Sequence, residues 1–173
     1  MTDRQRRAIE ATIFNIEKKY SNDPRDPGGR TAWGITERDH PEMWVNGPPT
    51  KEQAIEFYSE TNKEYWQSRY DALVYEPIAL ELFEAGVLCG PGRAVKFLQE
   101  AFNLLLPDLT TWTVLRVDGV FGPVTLATVN RFCAVNDDWC RALYRAMNGE
   151  QYLRFKTIAN PAFMRGWCAK RLD

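Results

Sequence analysis

Two carboxylates and a hydroxyl stand near the start of the chain: Glu17, Asp26 and Thr31. Glu17 and Asp26 are nine residues apart, with an apolar-faced helix leading into the first and a turn-rich segment around the second. A fold-back across such a helix end can place two carboxylates on opposite walls of a cleft. Cleavage of a glycosidic bond uses such a pair: one acid protonates the leaving oxygen, and a second group stabilises the developing cation or activates water. The hydroxyl of Thr31, five residues beyond Asp26, could orient that water. Spacing alone carries this reading weakly, because many helix–turn–strand segments contain Glu, Asp and Thr. Asp26 and Asp23 each precede a proline and also fit the role of turn anchor through their own backbone.

The elements around these residues follow from pattern and punctuation. Residues 3–18 read as a helix, capped by Thr2 or Asp3, with Ala8, Ile9, Ile13 and Ile16 on one stripe. Glu17 then lies at the helix's C-terminal end, at the edge of the apolar face. The helix dipole is negative there, and partial burial disfavours a charge, so both effects favour the protonated acid. Pro24, Pro27 and Gly28-Gly29 end the helical pattern, and Arg30 to Thr36 reads as a short strand of a small hairpin. Residues 37–49 are a loop with a short helical turn. Thr50 then caps a helix, with Gln53 placed for a capping box.

Further on, Pro77 suits a helix first turn, and Gly90-Pro91-Gly92 breaks the chain as a candidate hinge. Helices are expected from Arg93 to Leu106, from Pro123, from a cap at Asp137, and from Asn160-Pro161, with a loop over 107–122. The expected fold is mainly α, with one small β-hairpin after the first helix. The expected organisation is a catalytic lobe over 1–91 and a helical lobe over 92–173, packed as one compact unit.

Bulk properties narrow the function classes. The chain has 173 residues, 45% hydrophobic and 13% aromatic, enough for one sizeable core or two small lobes. A net charge of −1 gives no global pull toward nucleic acid, and no nucleic-acid partner is expected. Charge is nonetheless uneven. Residues 51–84 hold eight acids against three bases, and residues 141–172 hold seven bases against one acid. The basic third could touch an anionic polymer or an outer membrane, although solvated helix faces partly paired with the acidic half explain it as well. Glu52, Glu56, Glu60 and Glu64 recur every four residues and read as an outer face.

Other chemistries find little support. Cys89, Cys133, Cys140 and Cys168 form no C-x-x-C, and the single histidine, His40, is far from them, so neither a metal site nor any other cofactor is expected. Buried reduced thiols are expected instead. His40 lies between Asp39 and Pro41 without an evident nucleophile to serve. Phosphate-loop and nucleophile-elbow motifs are missing. The first residues, MTDRQRRAIEATIF, lack the apolar core of a signal peptide, and no stretch reaches the length of a membrane span. The expectation is synthesis in the cytoplasm of a host cell.

The residues in order also resemble a known family. Glu17-Lys18-Lys19-Tyr20, Asn22-Asp23-Pro24, Asp26-Pro27-Gly28-Gly29, Thr31 and Gly34-Ile35-Thr36 are similar to the opening of glycoside hydrolase family 108, the phage endolysins and related bacterial muramidases. Tyr65-Trp66, Leu82-Phe83-Glu84 through Gly90, Asp118-Gly119-Val120-Phe121-Gly122 and Asn160-Pro161 through Gly166-Trp167 continue the likeness in order. The resemblance implies a lysozyme-like, α-rich fold and cleavage of the β-1,4 bond between N-acetylmuramic acid and N-acetylglucosamine in peptidoglycan, with Glu17 as the catalytic acid. It implies supporting roles for Asp26 and Thr31, substrate contacts from Tyr20, Trp33 and Glu84, and a peptidoglycan-binding role for the C-terminal part. A monomer acting on periplasmic glycan strands after release is the corresponding expectation. Lys18-Lys19 stands where the family has Gly-Gly, which stiffens the backbone and adds positive charge. Glu84 and Leu88 replace its usual Asp and Asn. A non-lytic peptidoglycan-binding or secretion-assisting module is the alternative.

Overall fold

The computed structural model describes residues 1–16, 20–24, 29–61, 63–158, 164–165 and 168–169. The chain forms two compact units, Met1–Trp66 and Gln67–Asp173.

In the first unit, helix α1 (Asp3–Ile9) begins where the Thr2 hydroxyl accepts from the Gln5 amide at 3.1 Å. It continues as wider π-helical turns over Glu10–Ile16. Ala8, Ile9 and Ile13 are buried while Arg6, Arg7 and Glu10 face water, as the apolar stripe requires. Strands β1 (Thr31–Ala32) and β2 (Ile35–Thr36) then pair antiparallel in the register Thr31↔Thr36 and Ala32↔Ile35. The whole hairpin therefore sits inside the segment expected to be one strand. The reason is the connection: Trp33 (φ 54°) and Gly34 (φ 78°) both take left-handed backbone, which makes a two-residue primed turn. Trp33 is the unusual member, since such backbone is strained in a bulky residue.

A 3-10 turn at Pro41–Trp44 follows, as the loop-with-a-turn reading expects. Helix α2 (Lys51–Glu56) opens with the full capping box, Thr50 and Gln53 exchanging bonds of 3.3 and 2.8 Å. It too runs on in π-helical turns, over Phe57–Thr61. Such turns leave carbonyls out of the regular ladder, and the buried Gln5 amide reaches two of them, on Tyr58 and Ser59, at 3.4 Å each. Around this seam Phe57 meets Tyr58 edge-on at 4.9 Å, Tyr58 meets Tyr65 at 5.1 Å, and His40 meets Phe57 at 4.7 Å. Glu52, Glu56, Glu60 and Glu64 are exposed.

The second unit is helical. After a 3-10 turn at Ser68–Ala72 come α3 (Glu76–Cys89), α4 (Pro91–Leu104), α5 (Pro123–Cys133) and α6 (Asp137–Ile158). Gly90 (φ 89°) turns α3 into α4, and α4 packs against both α3 and α6, so the glycine break lies inside this unit. The core is Ile78, Leu82 and Phe83 from α3, Val95, Leu98 and Phe102 from α4, Phe132 from α5, and Leu143, Met147 and Phe155 from α6. The start of α6 is capped by Asn136, whose side chain accepts from the Trp139 amide at 3.0 Å; Asp137 is the first helical residue rather than the cap. The segment after α4 is stitched back onto it. Asn103 exchanges two 2.8 Å bonds with the Leu115 backbone, and Gln99 accepts from Gly119 N at 3.0 Å and donates to Asp118 at 3.1 Å. Gly119 is required there, since its φ is 77° and a Cβ would lie 2.7 Å from the Gly92 carbonyl oxygen. Cys89, Cys133, Cys140 and Cys168 are free thiols, and only Cys133 and Cys140 are fully buried. The helix expected after Asn160 falls largely outside the described residues.

Candidate active site

The candidate chemistry begins where the π-helical turns of Glu10–Ile16 end. Glu17, Lys18 and Lys19 lie outside the described residues, as does Asp26. The described frame on either side of them is specific. Ser21 forms an isolated bridge with Thr31, its amide donating at 2.8 Å and its carbonyl accepting at 2.9 Å. β1 is thereby paired on both sides, with Ser21 on one and β2 on the other. The bridge joins two residues ten apart in sequence and brings Tyr20 and Thr31 to the same edge.

Thr31 is half-buried, and its hydroxyl donates to the Gly29 carbonyl at 3.4 Å, a long bond that leaves its oxygen able to accept from a water. Tyr20 is 47% exposed and meets Trp44 with ring centroids 6.5 Å apart. Trp33, by contrast, is 8% exposed. Its carbonyl accepts from the Tyr58 hydroxyl at 3.2 Å, a bond between the strained turn and the aromatic core. Burial pushes the Tyr58 phenol well up, so this hydroxyl keeps its proton and remains a donor.

Past the hairpin, Thr36 and Asp39 form a tight reciprocal pair. The Thr36 hydroxyl donates to Asp39 at 2.8 Å, and the Asp39 amide donates back at 3.2 Å. Bonds from Arg38 and then Thr36 hold the Asp39 carboxyl below its ordinary range. Asp39 is thus a fixed anion beside the hairpin, and it serves the turn. His40 is close to Glu42, with Nδ1 3.3 Å from Oε1.

Arg30, Glu37 and Trp44 carry no motif in the sequence, yet they meet at this edge. Arg30 donates through Nε to Glu37 at 2.6 Å and through Nη2 to the other Glu37 oxygen, a bidentate pair. Its guanidinium also lies over the Trp44 ring, 5.3 Å from the centroid. Arg30 and Glu37 flank β1 and β2 symmetrically, one residue beyond Thr31↔Thr36, so the pair follows from the hairpin register.

Glu84 sits in the second unit, on α3, half-buried one turn after Glu81. Glu81 is 5% exposed, and its carboxyl accepts from the Gln151 side chain of α6 at 3.3 Å. Burial pushes the Glu81 carboxyl up to about 8, the Glu84 carboxylate adds to the rise, and Gln151 opposes it. At neutral pH the buried Glu81 carboxyl therefore keeps its proton.

Residues 11–90 match the family model Glycosyl hydrolase 108. The matched stretch contains Glu17, Tyr20, Asp26, Thr31, Trp33 and Glu84. No curated protein matches the chain. The fold is similar to the structure of Brucella abortus SagA, at 23% identity and a TM-score of 0.64, over 95% of this chain and 87% of that one. The expected fold class is thereby met: mainly α and lysozyme-like, with one small hairpin after the first helix.

Proposed function

We propose that this chain is a peptidoglycan hydrolase of the muramidase type, cleaving the β-1,4 bond between N-acetylmuramic acid and N-acetylglucosamine, with Glu17 as general acid. The observation that carries the proposal is the Glycosyl hydrolase 108 match over residues 11–90, which contains the whole candidate constellation. In this mechanism Glu17 protonates the glycosidic oxygen of the leaving sugar. Asp26 then stabilises the oxocarbenium-like charge or takes a proton from the attacking water, and Thr31 orients that water. The long Thr31–Gly29 bond supports the last role, because a hydroxyl held so loosely can turn toward a water without giving up a strong partner.

Residues 92–173 are proposed to bind the wall polymer, and Glu84 to contact the glycan. The wall is reached after release of the protein from the cell that makes it. No cofactor is needed for acid-assisted hydrolysis of this kind.

The test is clearance of purified cell walls followed by turbidity. The wild-type chain should clear them, and Glu17→Gln should bind the walls while losing clearance by at least about 100-fold, the usual contribution of a general acid. Clearance by Glu17→Gln at the wild-type rate would place the acid elsewhere. The alternative of a non-lytic wall-binding module is favoured by Lys18-Lys19 in place of the family's Gly-Gly, and binding of walls by the wild-type chain without any clearance would establish it.

A further inference from the structure

The Arg30–Glu37 pair has a ready structural explanation, the closing of a short hairpin by a cross-strand ion pair, and an exposed pair of that kind stabilises little. Three observations around it call for more. The pair is shared rather than isolated, since Arg30 also covers Trp44 and its guanidinium lies beside the exposed Tyr20 hydroxyl, toward which it donates. Tyr20 keeps close to half of its surface in water although Trp44, 5% exposed, lies beside it. The edge carrying these groups is also the one that carries Thr31, fixed by the Ser21 bridge and the Glu37 amide's 2.9 Å bond to the Arg30 carbonyl.

We propose that Tyr20, Arg30 and Glu37 form a sugar subsite that takes an uncharged N-acetylated pyranose unit of the glycan strand, beside the bond to be cleaved. The inference rests on the muramidase reading and names residues through which that site holds its substrate. The chemistry selects the ligand. An exposed tyrosine ring offers an apolar face for the C–H face of a pyranose, with its polar hydroxyl at the edge. The ion pair offers donors and acceptors side by side: each Glu37 oxygen keeps lone pairs, and the guanidinium keeps N–H groups beyond the two it gives to Glu37. Hydroxyl and acetamido groups need both kinds. Because Glu37 already neutralises Arg30 in a bidentate bond, the site is a poor receptor for a phosphate or a polyanion, which would have to displace the carboxylate. The same neutrality distinguishes this edge from the basic C-terminal third as a place for wall contact.

The experiment uses the intact chain carrying Glu17→Gln, titrated with a peptide-free tetramer of N-acetylglucosamine and, separately, with inorganic phosphate. In that background Tyr20→Ala, Arg30→Ala and Arg30→Lys should each weaken tetramer binding by at least about tenfold, with thermal unfolding within about 2 °C of the parent. Arg30→Lys is informative because it keeps the charge and loses the planar fork. Tetramer affinity unchanged in folded Tyr20→Ala or Arg30→Ala overturns the proposal, and so does displacement of the tetramer by phosphate at millimolar concentration. The two readings fail separately. A wild-type chain that never clears walls sinks the muramidase reading, whereas a chain that clears walls equally well with and without these side chains sinks only the subsite.

Discussion

Replacing Glu81 with glutamine isolates one buried proton. The folded chain keeps that proton up to about pH 8, whereas an unfolded chain releases it near the ordinary value of 4.5. The folded state therefore binds more protons between these values, and stability falls as pH rises through that window. At 1.36 kcal/mol per pH unit, the shift from 4.5 to about 8 sets an upper bound of about 5 kcal/mol. Water entry and local rearrangement reduce it. Glu81→Gln keeps an acceptor for the Gln151 amide and has no charge to bury. The variant should match the wild type below about pH 4.5 and become progressively more stable than it up to about pH 8, after which the difference levels off. Denaturant unfolding of both proteins at half-unit steps from pH 4 to 9 measures this difference directly, and titrations elsewhere in the chain cancel. Parallel stability curves across the whole range would refute the reasoning, as would a variant less stable than the wild type at pH 8.

Gly119→Ala should destabilise the second unit by about 1–3 kcal/mol, because the new Cβ meets the Gly92 carbonyl oxygen at 2.7 Å in backbone that is already left-handed; thermal unfolding reads it, and an unchanged midpoint would contradict the geometry. Tyr58→Phe removes the hydroxyl that bonds the Trp33 carbonyl at 3.2 Å and should cost about 1 kcal/mol. Amide exchange at Ala32 and Ile35 should speed up with it, and exchange that stays at the wild-type rate would separate the hairpin from the aromatic core.

Much of the fold was legible because local chemistry and tertiary packing agree. The Thr50–Gln53 capping box and the buried stripe of α4 follow from residue type and spacing, and the structure places them as read, whereas the Gly90 break, read as a hinge between lobes, turns α3 into α4 inside the second unit. The strand–turn–strand inside Thr31–Thr36 was hidden because Trp33 adopts backbone that its side chain disfavours, so no turn signal marks it. The π-helical runs were also hidden, since over two turns their spacing of apolar residues is hard to tell from that of an α-helix. Asn136 and Asp137 are both good caps, and only geometry chooses Asn136. At the candidate site, Tyr20 and Thr31 were named and do share an edge, whereas Trp33 is buried in the turn and Glu84 lies on α3. Arg30 and Glu37 were passed over because an ion pair across a hairpin becomes visible only once its register is known.

The stitching of the 105–122 segment onto α4 also bears on the order in which the second unit assembles. The Asn103–Leu115 bonds join residues 12 apart in sequence, while the Glu81–Gln151 bond joins residues 70 apart. Loop-closure entropy makes the longer connection costlier by about 1.5 kcal/mol. Helix α4 and its returning segment can therefore form as a local nucleus, and the contact that traps the buried carboxyl between α3 and α6 closes after it. The proton on Glu81 is taken up late in folding, so a chain folding above about pH 8 meets its electrostatic penalty mainly after the transition state, as faster unfolding rather than slower folding.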